Sequence, residues 1–390
     1  MRIGLDGIPL AFPKTGVGHY TFELAQALAR VAPEHEFEFI YPSTFPLIDS
    51  AGNGIEPPLS NLRATRVSVG PVGRHWWSVG LPHYLRHAPS QLFHGTNYDV
   101  PLWRRCATVL SIHDLSQLLY PETHERRSVR RAIRRLPLMA KTADSVIVPS
   151  ETVRREVLLH LRLDSSKVFA VPHAARACFR PEEFGATQQL RRKLGIGDEF
   201  ILTVGTIEPR KNLSLLLTAF EELIRAQPSE TLQLVIAGGR GWLSSPLFDA
   251  FEKSAERERI ILTDYLHDED LRALYSSCRV FVYPSLYEGF GFPPLEAMAC
   301  GACVITSDIP TLVETTGTAA RLIDPHNASE LALTILEVLT NENERRRLSL
   351  AGRQRAAEFS WERTAMKTLE VYREAIRCAK GRQKNRSIQL

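Results

Sequence analysis

Two carboxylates separated by seven residues bracket a glycine-containing loop in Tyr287-Glu288-Gly289-Phe290-Gly291-Phe292-Pro293-Pro294-Leu295-Glu296. A buried-type apolar run ends just before this loop. Two prolines open the following helix, which the pattern starts at Pro294 with Glu296 in its first turn. Glycines at 289 and 291, on either side of Phe290, let backbone N–H groups come close to a phosphate, and the helix N-terminus adds roughly half a positive charge. Glu296 is then within reach of ribose hydroxyls and Glu288 within reach of a sugar ring attached to the phosphate. The bland alternative is a strand-turn-helix whose acids only complement the helix dipole. A structural turn does not require all of these features together.

With Tyr-Glu-Gly-Phe-Gly around it, the Glu288-x7-Glu296 element resembles family 4 of the retaining glycosyltransferases, which have the GT-B fold. A second match is Val204-Gly205-Thr206-Ile207-Glu208-Pro209-Arg210-Lys211-Asn212, between an apolar strand and a helix. In the family this Arg-Lys pair grips the donor diphosphate. A leaving diphosphate gains negative charge in the transition state, and two fixed cations can neutralise it without a metal. Read alone, the stretch could equally be a solvated helix-capping turn. Many relatives carry an arginine directly after the glycine that corresponds to Gly205. Thr206 stands here instead, so Arg210 and Lys211 should carry a larger share.

Nearer the N-terminus, Lys14-Thr15-Gly16-Val17-Gly18-His19-Tyr20 resembles the family's glycine loop over the donor phosphate, leading into a helix from Tyr20. Ile112-His113-Asp114-Leu115 resembles the segment whose histidine contacts the transferring sugar, and Phe93-His94-Gly95-Thr96-Asn97 ends another strand. Ligands gather outside the carboxyl ends of strands in open α/β sheets, so these loops are expected on one rim. A single histidine is more often a hydrogen-bonded structural residue. The combination favours function for His113 and leaves both readings open for His94.

Other signals are weaker. Gly16-x-Gly18 lacks the third glycine of a dinucleotide fingerprint, and the second strand ends without a ribose-binding acid. Asp268-Glu269-Asp270 has the Asp-x-Asp spacing of metal-dependent transferases, yet it opens a helix and reads as a cap, so no metal site is expected. Cys300-x-x-Cys303 reads as a helix-to-strand turn of small residues more than as a redox pair. Paired arginines recur at Arg126-Arg127, Arg130-Arg131 and Arg134-Arg135, on one side of a helix with Val129, Ile133 and Leu136 near the other. That stretch, 126–135, reads either as a peripheral contact with an anionic membrane or as a solvated face over an apolar stripe.

The elements that must hold these residues follow an α/β rhythm. Strands are predicted at Arg2–Asp6, Phe37–Tyr41, Ala64–Val69, Gln91–His94, Thr108–His113 and Ser145–Pro149, then again at Phe200–Val204, Leu232–Ala237, Ile260–Leu262, Val280–Tyr283 and Cys303–Thr306. Helices are predicted at Tyr20–Val31, Ser128–Thr142, Glu151–His160, Leu213–Ala226, Asp268–Ser276 and Pro294–Ala299. At 390 residues two domains are expected. The reading is an acceptor-side Rossmann-like domain over 1–183, a nucleotide-sugar-binding one over 184–360, and a final amphipathic helix, 361–378, that completes the first. The resemblance implies that the two doubly wound parallel sheets face a cleft holding the donor.

Apolar residues at 44% and charged residues at 24% fit an ordinary globular protein. No run of about 18 apolar residues occurs, and the N-terminus reads as a strand, so a cytoplasmic protein with reduced cysteines is expected, peripheral at the inner face of the cell membrane if the arginine helix meets it. Residues 1–183 hold 22 Lys/Arg against 17 Asp/Glu, too mild an excess for a nucleic-acid binder, and no such motif is present.

The resemblance implies a metal-independent, retaining hexosyltransferase using a nucleotide diphosphate sugar as co-substrate and no further cofactor. GDP-mannose is favoured over a UDP-hexose because the two motifs look most like bacterial mannosyltransferases of polysaccharide assembly. The acceptor is a glycan, a lipid-linked or a small molecule. A sugar-nucleotide epimerase or hydrolase, or a non-catalytic scaffold, would share the same fold.

Overall fold

The computed structural model of the chain describes residues 1–11, 16–45, 59–70, 75–88, 90–104, 106–182, 184–227, 229 and 231–388. Lys14 and Thr15 of the glycine loop lie outside the described residues. Packing divides the chain into two compact units. The first comprises Met1–Leu115, Arg130–His173 and Ser360–Leu390; the second comprises Ser116–Val129 and Ala174–Phe359.

The first unit is built on a seven-stranded parallel sheet of β1 (Arg2–Asp6), β2 (Glu36–Pro42), β3 (Leu62–Val67), β4 (Leu92–Gly95), β5 (Ala107–Ser111), β6 (Ser145–Val148) and β7 (Val168–Ala170). The strand order is β3-β2-β1-β4-β5-β6-β7. Every residue of β4, β5 and β6 is buried, as parallel strands covered on both faces require, and their near-continuous apolar runs follow from that. The final helix, Trp361–Ile388, packs on the helix Gly16–Val31 and on β5 and β6. Thr364 bonds the Pro172 carbonyl at 2.7 Å.

The second unit carries six parallel strands, β8 (Phe200–Val204), β9 (Gln233–Ala237), β10 (Ile260–Leu262), β11 (Val280–Tyr283), β12 (Val304–Ser307) and β13 (Arg321–Ile323), ordered β10-β9-β8-β11-β12-β13. Helices Leu213–Ala226 and Ala328–Thr340 bury Leu216, Phe220, Leu331 and Ile335 with Ile201, Leu234 and Val282. Helices Asp268–Ser277 and Phe292–Ala299 bury Leu274, Leu295 and Met298 with Leu202, Phe281 and Tyr283. Two apolar layers thus sandwich the sheet.

Each predicted strand is present to within about two residues at its ends, the usual uncertainty of such limits. The short edge strands β7 and β13 were not predicted; each is three residues long, too short to show periodicity. The chain passes between units at His173–Ala174, ahead of the expected 183/184 boundary, because β7 closes the first sheet and helix Phe184–Leu194 packs with Asp268–Ser277 of the second unit. Residues Ser116–Val129, read as part of the first domain, group with the second. Among the described residues no helix is long and apolar enough to cross a membrane.

Candidate functional site

In the second sheet, β8 and β11 are neighbours from which the strand order runs in opposite directions. The crevice beyond their carboxyl ends is where doubly wound sheets receive ligands. The chain leaves β8 through Gly205 at φ +148°, and leaves β9 through Gly238 at φ +155°. A Cβ on Gly238 would lie 1.9 Å from the Gly205 carbonyl oxygen, so the two backbones touch and only glycine fits. Thr206 follows, packed where a Cβ on Gly241 would come within 2.7 Å of its methyl carbon. Glu208 then leads into a single 3-10 turn, Pro209–Lys211. Asn212 ends the turn at φ 55°, its side-chain amide donating to the Pro284 carbonyl at 3.1 Å and the Pro325 carbonyl at 2.7 Å. The loops after β8, β11 and β13 are held together by this one side chain.

The turn aims two cations at the loop after β11. Arg210 Nη1 donates to the Tyr287 carbonyl at 2.7 Å and lies 3.0 Å from Glu288 Oε2, while Nη2 donates to Glu208 Oε1 at 2.6 Å. Lys211 Nζ donates to Glu288 Oε1 and to the Tyr283 hydroxyl, both at 2.6 Å, and that hydroxyl donates to the same Glu288 oxygen at 2.9 Å. Arg210, Lys211, Glu208 and Glu288 form a compact set of two positive and two negative charges, largely withdrawn from solvent. Burial pushes the Glu208 carboxyl up and the Lys211 ammonium down. Burial alone would raise Glu288 as well, but Arg210 and Lys211 outweigh it and hold its carboxyl down to about 2.

A carboxyl whose folded-state value is depressed contributes stability that is fully present above its unfolded value, near 4.5, and is lost as the pH falls towards 2. Circular dichroism followed through that window should therefore show a shallower acid loss in Glu288→Gln than in the unaltered chain. Equal slopes would mean that the cations do not hold the carboxylate.

Beyond Glu288 and Gly289, Phe290 is buried against Phe292 and Phe359, so its side chain belongs to the core while its backbone lines the loop. Gly291 caps the next helix at φ 98°, where a Cβ would meet Leu312 at 2.7 Å. The helix spans Phe292–Ala299, two residues earlier than predicted, since both prolines fit its first turn. Glu296 is consequently its fifth residue and lies outside the first turn. It is buried, and its Oε1 accepts from Arg176 Nε at 3.0 Å.

In the first unit, Gly16 and Gly18 are not loop residues: the helix starts at Gly16 and contains both, Gly18 buried. Its Tyr20 ring meets His113 edge-on at 4.9 Å. The His113 Nε2–H donates to the Thr96 carbonyl at 2.7 Å, and burial lowers the ring's basicity. His94 is committed elsewhere, with Nδ1 2.7 Å from the Tyr372 hydroxyl and Nε2 2.8 Å from the Ser111 hydroxyl. Of its two readings, the structural one holds. Tyr372→Phe should cost about 1 kcal/mol, the net worth of a buried hydrogen bond, in denaturant titration; an unchanged midpoint would separate the bond from stability.

Asp268 does not cap its helix. The N-cap is His267, without a side-chain bond, and Asp268 instead pairs with Arg176 at 2.6 Å. Cys300 and Cys303 are free and buried, and burial pushes both thiols up to about 12, away from thiolate chemistry. Glu208, Tyr283, Asn212 and Arg176 were not singled out from sequence. Glu208 and Asn212 stood inside the quoted motif, but Tyr283 looked like strand core and Arg176 lies 120 positions from its partner.

A doubly wound unit that presents buried paired cations and glycine turns at its switch point is laid out to receive an anionic, nucleotide-like ligand. Family models agree: one described as Glycosyl transferases group 1 matches residues 186–355, and one described as Glycosyltransferase Family 4 matches residues 14–175. The chain belongs to these glycosyltransferases. O-antigen chain mannosyltransferase B of Escherichia coli is 29% identical over 96% of this chain and 100% of its own length. Among solved structures, the sucrose-phosphate synthase of Thermosynechococcus elongatus superposes with a TM-score of 0.76 at 24% identity, over 96% of this chain and 98% of that one. Anabaena HepE, in complex with UDP and glucose, gives 0.73 at 16% over 95% and 98%. At these identities the structures show the fold alone, which is GT-B.

Proposed function

We propose that the chain transfers a hexose, with mannose favoured, from a nucleotide diphosphate sugar to a glycan, lipid-linked or small-molecule acceptor of cell-surface polysaccharide, with retention of configuration. The observation that carries this reading is the Arg210–Lys211–Glu288 cluster at the switch point of the second sheet. Two cations already fixed by protein partners need little reorganisation to meet a leaving diphosphate. Gly205 lies against the Lys211 stem, and Glu288, held ionised, is assigned to the donor sugar. Glu296 is assigned to the ribose hydroxyls, and His113 to the transferring sugar.

The relation to an O-antigen mannosyltransferase supports mannose, hence GDP-mannose; the HepE complex keeps a UDP-hexose open. A thermal-shift panel of nucleotide diphosphates and their sugars separates them, since a ligand that binds only the folded chain raises its melting temperature. GDP and GDP-mannose should give the largest shift. No shift with any nucleotide would defeat the reading.

The acceptor is proposed to be met at an anionic membrane through the helix Arg126–Thr142. Its Arg126, Arg127, Arg130, Arg131 and Arg134 are exposed, it contains no acid, and Leu136, Met139 and Ala140 are its buried side. Ile133, expected on the buried stripe, is 55% exposed and Leu138 is 50% exposed, which adds apolar contact beside the charge. Each basic residue near an anionic surface contributes about 1 kcal/mol, so Gln at 127, 130, 131 and 134 should abolish flotation with phosphatidylglycerol vesicles and spare donor hydrolysis. Absence of flotation by the unaltered chain would leave a solvated face.

A further inference from the structure

Arg176 stands near the start of the Ala174–Phe359 segment of the second unit, between two acids that come from different helices. Its guanidinium donates through Nε to Glu296 Oε1 at 3.0 Å and through Nη1 to Asp268 Oδ1 at 2.6 Å, and its carbon lies 4.5 Å from the centroid of the Phe179 ring. The side chain is only 6% exposed. A planar fork held at two nitrogens and on one face has a single orientation, which an ammonium on a flexible stem would not reproduce.

Arg176 is the strongest influence favouring the charged form of Glu296. Burial pushes its carboxyl upward, Arg176 works in the opposite direction, and Asp268 adds to the rise. Without the guanidinium the largest influence that favours the charged carboxylate is lost, and only the Tyr275 hydroxyl is left to oppose burial and Asp268. An ionised carboxylate accepts hydrogen bonds roughly twice as strong as a neutral acid makes.

We propose that Arg176 is a positioning residue for ribose recognition: it orients the Glu296 carboxylate towards the ribose hydroxyls of the donor nucleotide. The proposal rests on the assignment of Glu296 given above. Arg176 acts here through Glu296, and Asp268 holds the other side of the guanidinium so that it cannot turn away. A purely structural ion pair would influence the melting temperature and leave sugar discrimination untouched.

Discrimination is therefore the quantity to measure, as the ratio of affinities for GDP and 2′,3′-dideoxy-GDP in calorimetric titrations of the full chain, repeated with the uridine pair. The unaltered chain should favour the ribonucleotide by about tenfold or more, equivalent to at least one charge-assisted hydrogen bond. Glu296→Gln should bring the ratio near one. Arg176→Met should fall within about threefold of Glu296→Gln, and the double variant should be no worse than Glu296→Gln, because coupled residues do not add. Arg176→Lys, which keeps the charge and loses the fork, should recover part of the ratio and also serves if Arg176→Met does not fold. Full discrimination in Arg176→Met or in Arg176→Lys overturns the proposal, and a ratio in Arg176→Lys that stays below that of the unaltered chain supports it. Should Glu296→Gln itself keep full discrimination, the ribose assignment falls, and this inference falls with it.

Discussion

Turnover should fall by at least about a hundredfold in Arg210→Ala or Lys211→Ala, while EDTA leaves the unaltered chain active. Removing one preorganised electrostatic group from a developing charge commonly costs about 3–4 kcal/mol, or two to three decades in rate. The site offers little redundancy, since Thr206 adds no charge after Gly205 and Glu208 and Glu288 already balance Arg210 and Lys211. Truncating Arg210 also takes the ion-pair partner from the buried Glu208 carboxylate, which costs about 3–5 kcal/mol of stability, so melting temperatures must accompany the rates. Folded variants with near-normal turnover would remove the diphosphate clamp. Activity lost in EDTA and restored by magnesium or manganese would replace the whole scheme with a metal-assisted one.

Glu288→Gln should separate rate from affinity. The amide keeps the shape but removes one negative charge beside Arg210 and Lys211, so a nucleotide diphosphate meets a more positive site. Its affinity is expected to stay level or tighten. Turnover is expected to fall by about two decades or more, because the contact assigned to the sugar loses its charge. Parallel losses in rate and in nucleotide affinity would place Glu288 on the diphosphate and not on the sugar.

How far the sequence reveals this site differs from residue to residue. Arg210, Lys211 and Glu288 were singled out by the resemblance of their motifs to the family, and the apolar strands before them say only that the loops follow β8 and β11. Their mutual ion pairs were not legible, since sequence gives the strand ends but not the adjacency of β8 to β11, which arises from the crossover order. Gly16 and Gly18 were misplaced into a loop because glycine is a poor helix former, yet the helix begins at Gly16 and includes both. Ile133 was placed on the buried stripe by periodicity, yet its position on the helix circle falls just outside the covered arc. Arg176 had no local signature whatever; its meaning is entirely a matter of two acids far along the chain.

The grip of Asn212 on the Pro284 and Pro325 carbonyls involves oxygen atoms that every amino acid supplies. A substitution at 284 or 325 keeps the carbonyl that is gripped, whereas one at 212 removes the amide that grips both. Side chains of these loops can thus be exchanged while the frame that presents them stays in place.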